Sequence, residues 1–189
     1  MDDNITYTSG VFTEEVREFN TCRAIMTSDF YEASILPHAG IIIKICRAYT
    51  HTQEDFEDYY QEVCLQIWRS RDRFDGHARW STWIYRISLN VCLTLFKKKK
   101  KRREQQGVLK ELPVRAQGED SFGSDESIQR LYQGIRQLSE IDRAVILLYL
   151  EQQSYQEIAD ILGTKANNIG VRISRIKKRL RRLLDEMEA

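Results

Sequence analysis

The sequence predicts an all-α protein with two small helical domains joined by a flexible linker. Over most of the chain, apolar residues recur at intervals of three and four positions, which is the repeat of an amphipathic helix. Pro37 and Pro113 are the two prolines among 189 residues, so long helices are permitted almost everywhere. Between residues 104 and 126 the apolar repeat stops and glycines accumulate, which indicates a linker.

Four segments follow one another along the chain. An acidic and weakly patterned extension covers residues 1–25, and a first helical domain covers 26–103. The linker over 104–126 leads to a second helical domain over 127–186. Within the first domain, the pair Asp75-Gly76 is a turn signal, so we expect one helix to end before it and another to begin after it.

Basic residues are concentrated in two places, although the formal net charge is only +1. Residues 97–103 supply seven cations and residues 172–182 supply seven more, whereas most acidic residues lie elsewhere. Segregated charge of this kind produces two local positive surfaces on a nearly neutral molecule. Nucleic acid is the partner that such surfaces favour.

Composition and spacing disfavour several other classes of protein. The start, Met1 to Asn4, lacks the features of a secretory signal, and the longest apolar run, Ala144–Leu150, is too short to span a bilayer. We therefore expect a cytoplasmic protein without direct membrane insertion. The four cysteines form no CxxC pair and are predicted to be free thiols packed on helix faces. No metal-ligand spacing or nucleophile elbow is recognisable, so we expect no cofactor, no metal, no small-molecule substrate and no enzymatic activity.

A helix-turn-helix near the C-terminus is the strongest motif of the sequence. Ser154 and Glu157 form a capping box, Gly163 can end the short helix with a positive φ, and a second helix restarts near Ala166. The spacing of the apolar residues predicts that this second helix is amphipathic. Its buried face would consist of Ile169, Ile173, Ile176 and Leu180.

If those residues face the core, polar side chains project from the early part of the second helix. Asparagine can read adenine and arginine can read guanine, whereas lysine suits phosphates. The structural alternative is a solvated basic helix, or one that packs on an acidic partner. The candidates for base contacts are Asn167, Asn168, Arg172 and Arg175, and Lys165 and Lys178 are candidates for phosphate contacts.

The first domain carries an acidic helix over about 55–69 and an aromatic, cationic segment over 73–90. The acidic stripe should meet a cationic protein surface rather than DNA. In the second segment, aromatic faces can accept unstacked bases while cations track a backbone, which is the chemistry of single-strand capture. A quieter interpretation treats Trp68, Trp80 and Trp83 as core residues. Phe74 would then fill the turn.

The order of these segments resembles the bacterial sigma-70 family. The residues that carry the resemblance are the acidic helix with Asp58-x-x-Gln61-Glu62-Val63, the segment 74–90 with Trp80-Ser81-Thr82-Trp83, and the helix-turn-helix 154–163. More narrowly, the chain is similar to the extracytoplasmic function (ECF) subgroup, which keeps only regions 2 and 4. The resemblance covers about residues 25–185. Gly170 departs from it, since the family often has a larger side chain there.

The resemblance implies roles for particular residues. Region 2 would bind the clamp helices of the polymerase β′ subunit through Asp55, Asp58, Gln61 and Glu62. It would hold minus-ten bases and the opening strand through Phe74, His77, Arg79, Trp80, Tyr85, Arg86, Asn90, Lys97 and Lys98. Region 4 would read the minus-thirty-five element through Lys165, Asn167, Asn168, Arg172, Arg175 and Lys178.

The implied function is that of a sigma factor that binds core RNA polymerase, including the β flap, and directs it to promoter DNA. The resemblance also implies an anti-sigma factor as a partner, which could hold the chain at the inner membrane face. The alternative is an autonomous helix-turn-helix repressor or activator. Such a regulator would use the acidic helix for dimerisation and would bind a palindromic site.

Overall fold

The computed structural model describes residues 28–105 and 125–188, and every regular element within them is helical. A short helical entry consists of Ser28–Phe30, the π-helical turn Tyr31–Ile35 and the 3-10 turn Leu36–His38. The first domain then contains α1 (Ala39–Tyr49), α2 (Gln53–Ser70), the 3-10 turn Arg71–Arg73 and α3 (Trp80–Gln105). The second domain contains α4 (Glu126–Arg136), α5 (Glu140–Leu150), α6 (Tyr155–Leu162) and α7 (Ala166–Glu188). Predictions for residues 1–25 and for most of the linker lie outside the described residues.

Side-chain caps begin several of these helices. Thr52 accepts the backbone N–H of Asp55 at the start of α2. Ser154 accepts the N–H of Glu157, whose carboxylate accepts the N–H of Ser154 in return at 2.8 Å. The two reciprocal bonds satisfy N–H groups that have no partner within the helix. The predicted capping box at the start of α6 is therefore confirmed.

The first domain packs α1, α2 and α3 around a common core. Ile42, Tyr60, Val63 and Ile84 are completely buried in it. Three of the cysteines, Cys46, Cys64 and Cys92, are buried free thiols, as predicted. Burial raises the pKa of the Cys46 thiol well above its usual range, so the thiol stays protonated and behaves as a small apolar side chain.

In the second domain α7 packs across α4, α5 and α6. Gly134 permits the close approach of α4 and α7, because a Cβ added there would lie 2.8 Å from Cδ1 of Leu180. Gly163 ends α6 in the left-handed region with φ of 65°, as the sequence predicts. Its N–H bonds back to the carbonyl of Ala159. The helix-turn-helix geometry thus depends on a residue that can adopt positive φ.

Replacement of Gly163 by alanine should destabilise the protein by about 1 kcal/mol, because an L side chain is strained at this φ. Urea denaturation followed by circular dichroism measures this change. Gly40→Ala is the matched control, since nothing lies within 4 Å of the added Cβ and φ is not positive. The control should stabilise the protein by about 0.5 kcal/mol. Equal effects of the two substitutions would contradict the assignment.

The two domains pack directly against each other, which the sequence did not predict. Arg143 on α5 is 4% exposed, and its guanidinium donates to three backbone carbonyls, one of them on α1. These acceptors are the carbonyls of Arg136, Leu138 (3.1 Å) and Ala48 (3.3 Å). The same guanidinium lies 4.8 Å from the ring centroid of Phe96 on α3. This side chain therefore joins both domains.

Candidate nucleic-acid interfaces

Helix α7 has a sharply divided surface. Ile169, Ile173, Ile176 and Leu180 are 1 to 8% exposed and face the other helices of the second domain, as predicted. The opposite face carries polar and cationic side chains in solvent. Of the predicted contact residues, Lys165, Asn167, Asn168, Arg175 and Lys178 are exposed.

Arg172 differs from these five residues. It is half-buried, and its Nε donates to Oδ1 of Asp142 at 2.5 Å. Asp142 also accepts the hydroxyl of Ser139, the N-cap of α5. Arg172 thus ties α7 to the first turn of α5, where the helix dipole favours the carboxylate. Sequence periodicity placed Arg172 among the groove-facing residues but could not show this ion pair.

Gly170 has a structural explanation in the contact between α6 and α7. A Cβ added at Gly170 would lie 3.2 Å from Cε2 of Tyr155, a distance that requires the ring to give way. Tyr155 itself is 46% exposed. The absence of a side chain at Gly170 therefore leaves room for the ring of Tyr155.

Three aromatic side chains form a cluster at the start of α3. The rings of Phe74 and Trp80 meet edge to face with centroids 4.7 Å apart, and those of Trp80 and Trp83 stack at 4.6 Å. The indole N–H of Trp80 donates to the carbonyl of Ser34 at 2.7 Å. All three rings are half-buried. They are thus packed on one another while keeping part of their surface in solvent.

A cleft of about 470 Å³ opens beside this cluster. It is lined by the rings of Phe30 and Trp80, by Ala33 and Ser34, and by Arg71. The guanidinium of Arg71 lies over the ring of Trp68 at 4.6 Å. The cleft thus has an aromatic wall, and the guanidinium of Arg71 at its edge also donates to the carbonyl of Trp68 at 2.8 Å. The predicted residues His77 and Arg79 are exposed in the neighbouring loop.

The acidic helix α2 presents its predicted residues unequally. Asp58 is exposed, whereas Gln61 and Glu62 are half-buried. Asp55 forms a short ion pair with Lys99 of α3. Among the predicted polymerase-binding residues there are three carboxylates. Asp55 is paired with Lys99, whereas Asp58 and Glu62 take part in none of the ion pairs seen in residues 28–105 and 125–188.

Two family models match consecutive segments of the chain, one in each domain. Residues 35–102 match the model of sigma-70 region 2, and residues 128–180 match the model of sigma-70 region 4. The two matches together cover more than half of the chain. The chain belongs to the sigma-70 family. The family predicted from the sequence is therefore confirmed. The first domain is called region 2 and the second domain region 4 of this sigma factor below.

Three of its curated relatives are named as ECF sigma factors. The ECF RNA polymerase sigma factor SigW of Bacillus subtilis is 29% identical over 157 residues, which cover 77% of this chain and 84% of SigW. The ECF RNA polymerase sigma-E factor of Escherichia coli is 28% identical over 138 residues, which cover 66% of this chain and 71% of the relative. The ECF RNA polymerase sigma factor SigG of Mycobacterium tuberculosis is 26% identical over 175 residues, covering 79% of this chain and 47% of SigG. These matches agree with the predicted similarity to the ECF subgroup, and together with the sigma-70 regions they support a function in promoter-specific transcription.

Two solved structures share the fold of this sigma factor. The sigma factor RpoE of Bartonella quintana, in complex with the anti-sigma factor NepR, aligns with a TM-score of 0.69 and 22% identity. That alignment covers 84% of this chain and 98% of the other. CnrH, in complex with the cytosolic domain of CnrY, aligns with a TM-score of 0.58 and 20% identity over 90% of this chain and 97% of CnrH.

Two predicted minus-ten residues lie against region 4 of the sigma factor. Tyr85 is 4% exposed, and its hydroxyl donates to Oε2 of Glu151 at 2.9 Å. Oε1 of Glu151 accepts Lys44 of α1 at 2.5 Å. Arg86 is exposed, and its guanidinium donates to the carbonyl of Asp160 at 3.1 Å. By contrast, the predicted residues Asn90, Lys97 and Lys98 are exposed along α3.

Sequence reasoning missed the residues that join the regions. Glu151 receives Lys44 and Tyr85 across 107 and 66 positions of the chain, and Arg143 reaches Ala48 across 95. No local pattern marks either residue: Arg143 lies on α5 and Glu151 directly follows it, and the capping and apolar repeat of that helix are complete without them. Within the described residues, no helix has the length and apolar character needed to cross a membrane.

Proposed function

We propose that this sigma factor fastens to core RNA polymerase through the acidic face of α2 and places the enzyme on promoters through two DNA contacts. Region 4 would read the minus-thirty-five element in duplex DNA, and region 2 would hold unpaired bases of the minus-ten element. The observation that carries this proposal is the divided surface of α7, whose polar face is free for the major groove while its isoleucines are buried.

The exposed face of α7 has the chemistry for base reading. The amides of Asn167 and Asn168 can each pair with the N6 and N7 atoms of adenine, and Arg175 can bind the O6 and N7 atoms of guanine. Lys165 and Lys178 lie at the two ends of this face and would bind phosphates. Because lysine contacts release counterions, binding should weaken steeply as salt rises.

For the minus-ten element, the half-buried aromatic cluster and its cleft would accept bases that have left the duplex. Extruding a base costs a few kcal/mol, and stacking on an aromatic ring returns roughly 1 to 3 kcal/mol. Capture by Phe74 and Trp80 therefore offsets the cost only partly. Contacts with polymerase must supply the rest. Tyr85 and Arg86 would join the opening strand once region 4 has moved away from them.

The polymerase contact would be made by Asp58 and Glu62, which lie one helical turn apart on α2. Two carboxylates at this spacing can pair with a cationic surface, and we expect the β′ clamp helices to provide it. The second contact with polymerase would join region 4 to the β flap. We also propose an anti-sigma factor as a partner and a cytoplasmic location. Support for the partner comes from the structural neighbour RpoE, which was solved in complex with the anti-sigma factor NepR.

Run-off transcription with purified core polymerase and a genomic promoter library tests the proposal. We expect specific transcripts only when the sigma factor is present, and weak DNA binding by the isolated chain. Specific binding by the holoenzyme should fall steeply between low and physiological salt. The rival, an autonomous regulator, requires a stable dimer and a palindromic site. A dimer in sedimentation that binds such a site tightly without polymerase would overturn the proposal.

A further inference from the structure

One apolar side chain stands in the middle of the polar face of α7. Val171 is 55% exposed, the highest fraction among the large apolar side chains of residues 28–105 and 125–188. Asn167 lies one turn before it and Arg175 one turn after it, so the three side chains share a face of the helix. Val171 thus lies between two residues proposed to read base edges.

Neither helix formation nor solubility explains a valine at this place. Valine restricts χ1 and is a weaker helix former than the lysines and arginines that dominate the rest of α7. Its exposed methyl groups gain nothing from the folded chain itself. A single exposed apolar residue is common on protein surfaces, but this one occupies the centre of a predicted contact face.

The two neighbours of Val171 are both withdrawn from that face. Gly170 has no side chain and is approached by the ring of Tyr155, as an added Cβ would lie 3.2 Å from Cε2. Arg172 is half-buried and donates to Asp142. Of the three consecutive residues, Val171 is therefore the one that presents a side chain outward. The helical repeat turns both neighbours about 100° away from Val171, and their contacts with Tyr155 and Asp142 lie on either side of the exposed face.

We propose that Val171 is a specificity-determining residue that contacts the C5-methyl group of a thymine in the minus-thirty-five element. Thymine is the base that presents a methyl group in the major groove, whereas the edges of the other bases are polar. Asn167 beside it can pair with an adenine, so the pair of residues selects a step of A·T pairs. The inference rests on the proposed function of region 4 and adds the base that one side chain chooses.

The test removes the proposed contact from each side in turn, by replacing thymine with uracil in the DNA and Val171 with alanine in the protein. Holoenzyme assembled from core polymerase and the full chain is bound to a promoter that it transcribes, and each thymine of the minus-thirty-five element is replaced in turn by uracil, which lacks the methyl group. With the unsubstituted chain, uracil at one position should weaken binding about fourfold, the effect of burying one methyl group. With Val171→Ala, which removes two methyl groups from the contact, uracil at that position should have a clearly smaller effect.

Val171→Ala is suited to this test because alanine favours the helix and the position is exposed, so the chain should fold normally. Ile128→Ala is the matched control, as Ile128 is 45% exposed on α4. With this control the fourfold loss at the same thymine should remain. Circular dichroism of both variants checks the helical content.

Three results would overturn the inference. They are a promoter in which no thymine can be distinguished from uracil, an equal uracil effect with and without Val171, and a minus-thirty-five element without an A·T pair that affects binding. Scrambling the whole element separates this failure from failure of the proposed function. If scrambling still abolishes binding, region 4 reads the element and only the role of Val171 is wrong. If scrambling has no effect, both proposals fail.

Discussion

Reversing the charge of Asp58 and Glu62 together, as Asp58→Lys and Glu62→Lys, is expected to weaken binding of core polymerase by about a hundredfold or more. Asp58 is exposed and Glu62 half-buried on one face of α2, and neither takes part in a described ion pair. Lysines there would oppose the cationic surface proposed for the partner, and like charges brought together in an interface cost several kcal/mol. Analytical sedimentation or fluorescence anisotropy with purified core polymerase, without DNA, measures the loss.

Asp185→Lys with Glu186→Lys is the matched control for this double variant. It changes the net charge by the same amount at exposed positions near the end of α7. Binding of core polymerase should stay within about threefold of the unsubstituted chain, because rim or remote charges act weakly at physiological salt. Unchanged association in the α2 variant, with helical content preserved, would favour the autonomous regulator instead.

Replacement of Arg143 by alanine is expected to be among the most destabilising single changes in the chain, at about 3 kcal/mol. The guanidinium is almost fully buried and donates to the carbonyls of Arg136, Leu138 and Ala48. Alanine would leave these acceptors without their partner and would open space beside Tyr49 and Phe96. Urea denaturation followed by circular dichroism measures the change in the free energy of unfolding.

Arg179→Ala is the matched control, because Arg179 is exposed and makes a single long bond, 3.3 Å, to the carbonyl of Gln137. Its effect should stay within about 0.5 kcal/mol. Arg143→Lys should recover only part of the lost stability, since an ammonium group cannot span three carbonyls as a planar guanidinium does. A loss below about 1 kcal/mol in Arg143→Ala would show that the joint between the regions does not depend on this side chain.

The contacts between regions 2 and 4 also affect how region 2 can bind DNA. Tyr85 and Arg86 bond to Glu151 and to the carbonyl of Asp160, so the strand that region 2 would hold cannot reach both residues in this arrangement. Fluorescent labels on α3 and α7 should therefore move apart when core polymerase binds. In Arg143→Ala the labels should already be further apart in the free chain.

Local features of the fold could be predicted because their partners lie within one helical turn. The capping box of Ser154 and Glu157, the left-handed Gly163 and the buried isoleucines of α7 each involve residues three or four positions apart. The order of the two regions, and with it the family, follows from motifs of the same local kind. Helix ends could be placed only roughly: the first domain was predicted to end at residue 103, whereas α3 continues to Gln105. Gly107 is the first helix breaker after the lysines.

The sequence by itself determined an all-helical chain, its capped helices, and a recognition helix with a polar face opposite an apolar one. Tertiary structure alone decided which candidate side chains are available, since Asp55 bonds to Lys99, Arg172 to Asp142 and Tyr85 to Glu151. The reason is that periodicity reports which face of a helix is apolar. It does not report which other helix lies against the polar face, and charged side chains pair with whatever packing brings within reach.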